Sequence, residues 1–156
     1  GAFRMSEPRF TELQARLSAV RQVGRRVIAR QPVFVPLDLR IAVCVVPGFA
    51  FGDVAARILS ALSPGRRGFF GPDRFSFGDP LRRPALEAAI ACVDGVRAVT
   101  ELQLRERGVG DFRAFDDPEL PVAANRILKV ENDPNRPGQG SIRVYEDTLP
   151  DLEGAA

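Results

Sequence analysis

The feature that most limits how this chain can fold is a run of alternating residues between two prolines. From Val33 the apolar side chains Val33, Val35, Leu37, Leu39, Ile41, Val43 and Val45 recur at every second position, up to Pro47-Gly48. A period of two puts all seven on one face of an extended strand, and so many positions in phase can only be covered by a core. The other face carries Asp38 and Arg40 and then Ala42, Cys44 and Val46. The strand is therefore expected to enter half-exposed and to end buried on both sides.

Around it the spacing changes from two to 3.6. Phe10, Leu13, Leu17 and Val20 fall at helical intervals after Pro8, predicting an amphipathic helix that Gly24 can stop. Val27 and Ile28 begin a short extended piece closed by Gln31-Pro32. Asp53 offers an N-cap to a helix with Val54, Ile58, Leu59 and Leu62 in one stripe, ended by Pro64-Gly65. Pro84 suits the first turn of another helix, with Leu86, Ala89, Ile90 and Val93 on its apolar side and Asp94-Gly95 as its stop. A strand from Val96 to about Arg105 follows, with Leu102 and Leu104 facing inward. Val99 is out of phase with Val96, which predicts a bulge there.

Gly108-Val109-Gly110 then opens a long connection. The strand candidates Ile127–Val130 and Ile142–Tyr145 are separated by Asn132-Asp133-Pro134-Asn135-Arg136-Pro137-Gly138, whose turn chemistry predicts a hairpin. The fold expected is α+β: a two-layer sandwich of a mainly antiparallel sheet with two helices on one face, an N-terminal helix and a C-terminal hairpin. Its expected divisions are a flexible start (1–8), the first helix (9–24), an α+β core (25–108), the connection and hairpin (109–148) and a disordered tail (149–156).

Composition narrows the chemistry. There is no histidine, which removes the usual general base near neutral pH and the commonest metal ligand. Two cysteines without histidine cannot build a tetrahedral zinc site. Cys44 and Cys92 each sit in an apolar run, and we expect reduced, buried thiols and a cytoplasmic protein, a single bridge needing Cα atoms within roughly 7 Å. The acidic pairs Asp116-Asp117 and Glu146-Asp147 flank turns and read as solvated loop carboxylates. Asp133, Asn135 and Gly138 imitate the opening of a calcium loop, but its twelfth position is Val144. Glycine-rich Gly65–Gly71 lacks the Lys-Ser/Thr of a nucleotide loop and follows a helix. No cofactor or metal is expected. Charge is nearly balanced, 22 basic against 20 acidic side chains, and no apolar run approaches the ~20 residues of a membrane span. Neither nucleic acid nor membrane is an expected partner, although Arg25-Arg26, Arg66-Arg67 and Arg82-Arg83 lie among phenylalanines.

Most informative are Phe69, Phe70, Phe75 and Phe77, four of eleven phenylalanines within nine residues, with Arg66 and Arg67 beside them. So many rings among glycines and prolines suit neither helix nor strand. One or two of them can plug the core, while the others are available to a protein partner. These six residues are the candidate interaction site.

In four places the order of residues resembles baseplate J-like proteins. The first is the run from Arg25 to Val43, in which a short strand and a proline turn lead into a valine-rich strand. The second is Ala55 to Gly65. The third is Phe75-Ser76-Phe77-Gly78-Asp79-Pro80-Leu81, where the family has an FG turn, and the fourth is Val93 to Val99. The resemblance covers about residues 13–106, with the segment beyond Pro121 similar to the family's tail. The family's tryptophan before FG is replaced by Arg74-Phe75-Ser76-Phe77. The resemblance implies a wedge subunit in the baseplate of a phage-like contractile injection machine, a fragment or shortened paralogue of longer members. It would do no bond chemistry and would join other baseplate or tail proteins or copies of itself. Two other readings stay open: a small-molecule-binding regulatory α+β domain and a histidine-free, carboxylate-based enzyme.

Overall fold

The computed structural model describes residues 5–20, 24 and 27–148. The expectations for Arg25-Arg26, for residues 1–4 of the flexible start and for the tail 149–156 lie outside the described residues. In chain order the elements are α1 (Glu7–Ala19), β1 (Val33–Val45), α2 (Phe51–Ala61), β2 (Leu81–Arg82), α3 (Arg83–Ala91), β3 (Val96–Glu106), β4 (Val109–Ala114), β5 (Glu119–Leu120), β6 (Arg126–Lys129), a 3-10 turn (Pro137–Gln139) and β7 (Ser141–Glu146).

The fold is α+β, with a mixed five-stranded sheet organised on β1. β3 runs antiparallel along one edge of β1 and carries β4 antiparallel outside it. The alternation read from the sequence governs the packing. Val35, Leu37, Leu39, Ile41 and Val43 are all buried, packed with Val54, Ile58 and Leu62 at α2 and with Leu86 and Ile90 of α3. At roughly 1.5–3 kcal/mol for each large apolar side chain, this layer is the main source of stability. Both helices therefore cover the same face of the sheet. The β1–β3 register slips between Ala42 and Val43 and again between Cys44 and Val45, placing bulges on both sides of Val99.

Several local expectations are corrected. α1 ends at Ala19, well before Gly24, and has no buried residue, with Leu13 and Leu17 exposed. Val27 and Ile28 are exposed and form no strand. α2 begins at Phe51 with Ala50 as N-cap, so Asp53 lies inside the first turn, where its charge still opposes the helix dipole favourably. Gly108 opens no long connection. Arg107 and Gly108 form a two-residue turn into β4, which the lack of a clear apolar period had concealed. Near its end the outer face of β1 is not wholly buried: Val46 is exposed, and the most buried residue on that face is Asp38, at 1%. Cys44 is buried and donates its thiol to the Asp147 carbonyl, but Cys92 is exposed; both are free.

The largest correction concerns the C-terminal strands. Both exist, but they do not pair with each other. β6 pairs in parallel with Val33–Pro36 and β7 in parallel with Asp38–Val43, so the two lie end to end along one edge of β1. The turn-rich segment between them is an excursion that leaves the edge and returns to it. Glu131 and Asn132 donate their N–H groups to the carbonyls of Gln139 and Gly140, and the Asn132 side chain accepts the N–H of Ile142. Gly140 stands at the gap, at φ +89°, where a Cβ would meet the Leu37 carbonyl oxygen at 2.5 Å. A thirteen-residue strand has more backbone groups on its edge than either short strand could satisfy alone, and two in series serve both halves.

Candidate functional site

The phenylalanine loop joins α2 to β2 and is built of successive tight turns. Phe69 N–H donates to the Ala61 carbonyl at the end of α2, and Gly71 N–H to that of Gly68. Gly78 N–H bonds the Arg126 carbonyl, and the Asp79 carboxylate accepts Ser76 N–H. At Gly68 a Cβ would fall inside the Ser63 carbonyl, so glycine is required for the chain to pass this close. The loop is thus a packed element whose rings have fixed places.

Phe70 is buried at 7% exposure and plugs the core. Phe69 meets it edge-on with centroids 5.0 Å apart, and Phe75 stacks on it at 5.6 Å. Phe69 and Phe75 are only half-buried, each with one side on the core cluster. Arginine and helix surface complete a cleft of about 530 Å³ lined by Ala61, Arg67, Phe69, Arg74, Phe75, Asp79, Pro80, Arg82, Ala85 and Ala89. Small side chains on α2 and α3 leave the hollow, and two aromatic rings wall it. Three guanidinium groups against one carboxylate make its lining electropositive.

Of the six residues singled out in the sequence, three line this cleft: Arg67, Phe69 and Phe75. Phe70 lies behind it. Arg66 instead lines a separate recess with Pro72, Asp73 and Arg74, and Phe77 points to solvent at 53% exposure. Arg74, Asp79, Arg82, Ala85 and Ala89 were not named as site residues. The Arg82-Arg83 pair was a visible signal, and Ala85 with Ala89 forms an i, i+4 small-residue pair on α3 whose meaning depends on what faces it.

The opposite face of the sheet holds a second concentration of charge. Asp38 accepts hydrogen bonds from Arg105 Nε at 2.9 Å, Arg107 at 2.7 Å and the Ser141 hydroxyl at 2.8 Å. Burial alone would raise its carboxyl pKa. The bonds from Ser141, Arg105 and Arg107, with the charge of Arg107, outweigh burial and hold it below the ordinary value of 3.8. A carboxylate tied down in this way is the reverse of a general acid. Asp116, Asp117, Glu146 and Asp147 are exposed, and among the described residues no three His, Cys, Asp or Glu side chains gather to hold a metal. No helix among them is long and apolar enough to cross a membrane. No known family model matches the chain, and no curated protein matches it.

Proposed function

We propose that this chain is a structural assembly module, a baseplate or wedge component of a phage-like contractile injection machine, acting by protein–protein contact. The observation that carries the reading is the cleft between α2 and α3, with half-buried Phe69 and Phe75 as its walls and Arg67, Arg74 and Arg82 at its rim. Such a site suits an apolar side chain from a partner strand or helix flanked by acidic residues. The ring faces supply the apolar contact, and the guanidinium forks pair carboxylates. The resemblance to baseplate J-like proteins supports the choice of partner class, other baseplate or tail proteins or a further copy of the chain.

Light scattering on mixtures of the full chain with the sheath, tube and spike proteins of its own genome tests this. Formation of a defined complex that Arg67→Glu with Arg74→Glu weakens about tenfold or more is expected, since reversing rim charges places like charges together. A chain that remains monomeric with every tail component overturns the reading.

The volume of the same cleft favours one alternative, a small-molecule-binding regulatory domain, because it lies within the roughly 300–1,000 Å³ of ligand pockets. A thermal-shift screen separates the two. Stabilisation by a small aromatic acid, lost in Phe75→Ala, would favour the regulatory reading.

A further inference from the structure

Apart from the cleft, the helix-free face of the sheet presents a second recess, of about 140 Å³, lined by Arg40, Arg105, Arg107, Phe112, Ser141 and Arg143. The strand register brings these residues together. Arg40 on β1 lies beside Gln103 on β3 and Arg143 on β7, and Asp38 lies beside Arg105 and Ser141. Four guanidinium groups therefore face one carboxylate, and that carboxylate is already saturated by Arg105, Arg107 and Ser141. Arg40 and Arg143 form no ion pair with a described residue. Arg40 instead stacks on the Phe112 ring, 3.9 Å from its centroid, with Arg105 at 4.5 Å from the same ring. The Arg40 Nε is buried without an acceptor. Of the other acids on these strands, Glu101 accepts a hydrogen bond from Gln103 and Glu106 one from Arg126, while Asp111 and Glu146 are exposed and do not line the recess.

We propose that this recess is an oxyanion site for a phosphoryl-type dianion, held by Arg40, Arg143 and the free N–H groups of Arg105 and Arg107. Asp38 and Phe112 act as positioning residues. The carboxylate fixes Arg105 and Arg107, and Arg40 and Arg105 both rest over the Phe112 ring, so the forks are ordered before a ligand arrives. Ordered forks lose little conformational freedom on binding and suit tetrahedral oxyanions bidentately. A recess of this size is below the range of drug-sized ligands and accepts one anionic group. A bound dianion would tie β1, β3 and β7 together across the open face. The inference does not depend on the assembly reading above, since it uses neither the cleft nor the resemblance.

The test is calorimetric titration of the full chain with inorganic phosphate, with chloride at matched ionic strength as the control, supported by thermal unfolding. Saturable phosphate binding is expected, with a rise in thermal midpoint of about 2–4 °C once phosphate exceeds its dissociation constant about fivefold. Arg143→Gln, at an exposed position, should weaken phosphate about tenfold while leaving the midpoint in chloride unchanged. Arg40→Gln is the second variant and should weaken phosphate to a similar degree, its affinity being compared at its own midpoint in chloride because it also loses the stacking on Phe112. Glycerol phosphate, run in parallel, distinguishes the source. Tighter binding than inorganic phosphate assigns the site to a phosphomonoester, and equal or weaker binding assigns it to the free ion. Absence of binding beyond the chloride control, or unchanged phosphate affinity in both variants, overturns the proposal.

Discussion

The two faces of β1 are made from one continuous stretch of chain and hold together by different physics. Odd-numbered residues from Val35 to Val43 are buried against α2 and α3, and their contribution scales with apolar area removed from water. On the other face Asp38 is equally buried, but its stability depends on three donors arriving from β3, the turn after it and β7. The first face tolerates change in proportion to volume. The second fails as a unit, because a buried charge that loses its partners, or partners that lose their charge, cannot be repacked. The comparison also separates roles: the helix-covered side carries the aromatic cleft at its edge, and the bare side carries the arginines.

Substitutions along β1 measure that contrast. Asp38→Ala should cost the most, about 3–5 kcal/mol in urea unfolding, because it leaves Arg105 and Arg107 without their acceptor. The sign of its pH dependence follows from the lowered folded-state pKa. The stabilisation from Asp38 is complete above the unfolded value near 3.8 and fades as pH falls through the lower folded value. The gap between wild type and Asp38→Ala should therefore narrow below about pH 4, where the unfolded carboxyl takes up its proton. A gap independent of pH would break the charge account of this face. Ile41→Ala, on the apolar face, should cost about 2–5 kcal/mol at any pH between 5 and 8. Gly140→Ala probes the junction of β6 and β7 and should cost about 1–3 kcal/mol, from its positive φ and the approach to the Leu37 carbonyl. Phe77→Ala should change stability by less than about 0.5 kcal/mol, since its ring faces solvent.

The same contrast explains how far the sequence could be read. Features of short range were legible. The period of two along β1, the 3.6-residue stripes of α2 and α3 and the bulge near Val99 depend on neighbouring residues alone. Asp38 was misread as a solvent-facing residue, because alternation assigns a polar side chain to water, and its partners lie 67, 69 and 103 positions away. The turn chemistry between Asn132 and Gly138 was recognised, but a turn does not say which edge the chain returns to. A full-length edge on β1 decided that, and a hairpin gave way to two parallel strands in series. In the cleft the clustered phenylalanines were visible. Ala85, Ala89 and Arg74 gain meaning only once α2, α3 and the loop converge, and Phe77 belongs to the same sequence cluster without entering the cleft.

The central claim is that the aromatic cleft, and not the arginine face, is where this chain meets another protein. Hydrogen–deuterium exchange on the full chain, free and mixed in turn with each tail protein of its own genome, measures this directly. The account predicts added protection within residues 61–89, from the end of α2 through the loop to α3, and unchanged exchange in β4 and β7. Protection confined to β3, β4 and β7, with residues 61–89 exchanging as in the free chain, would contradict it.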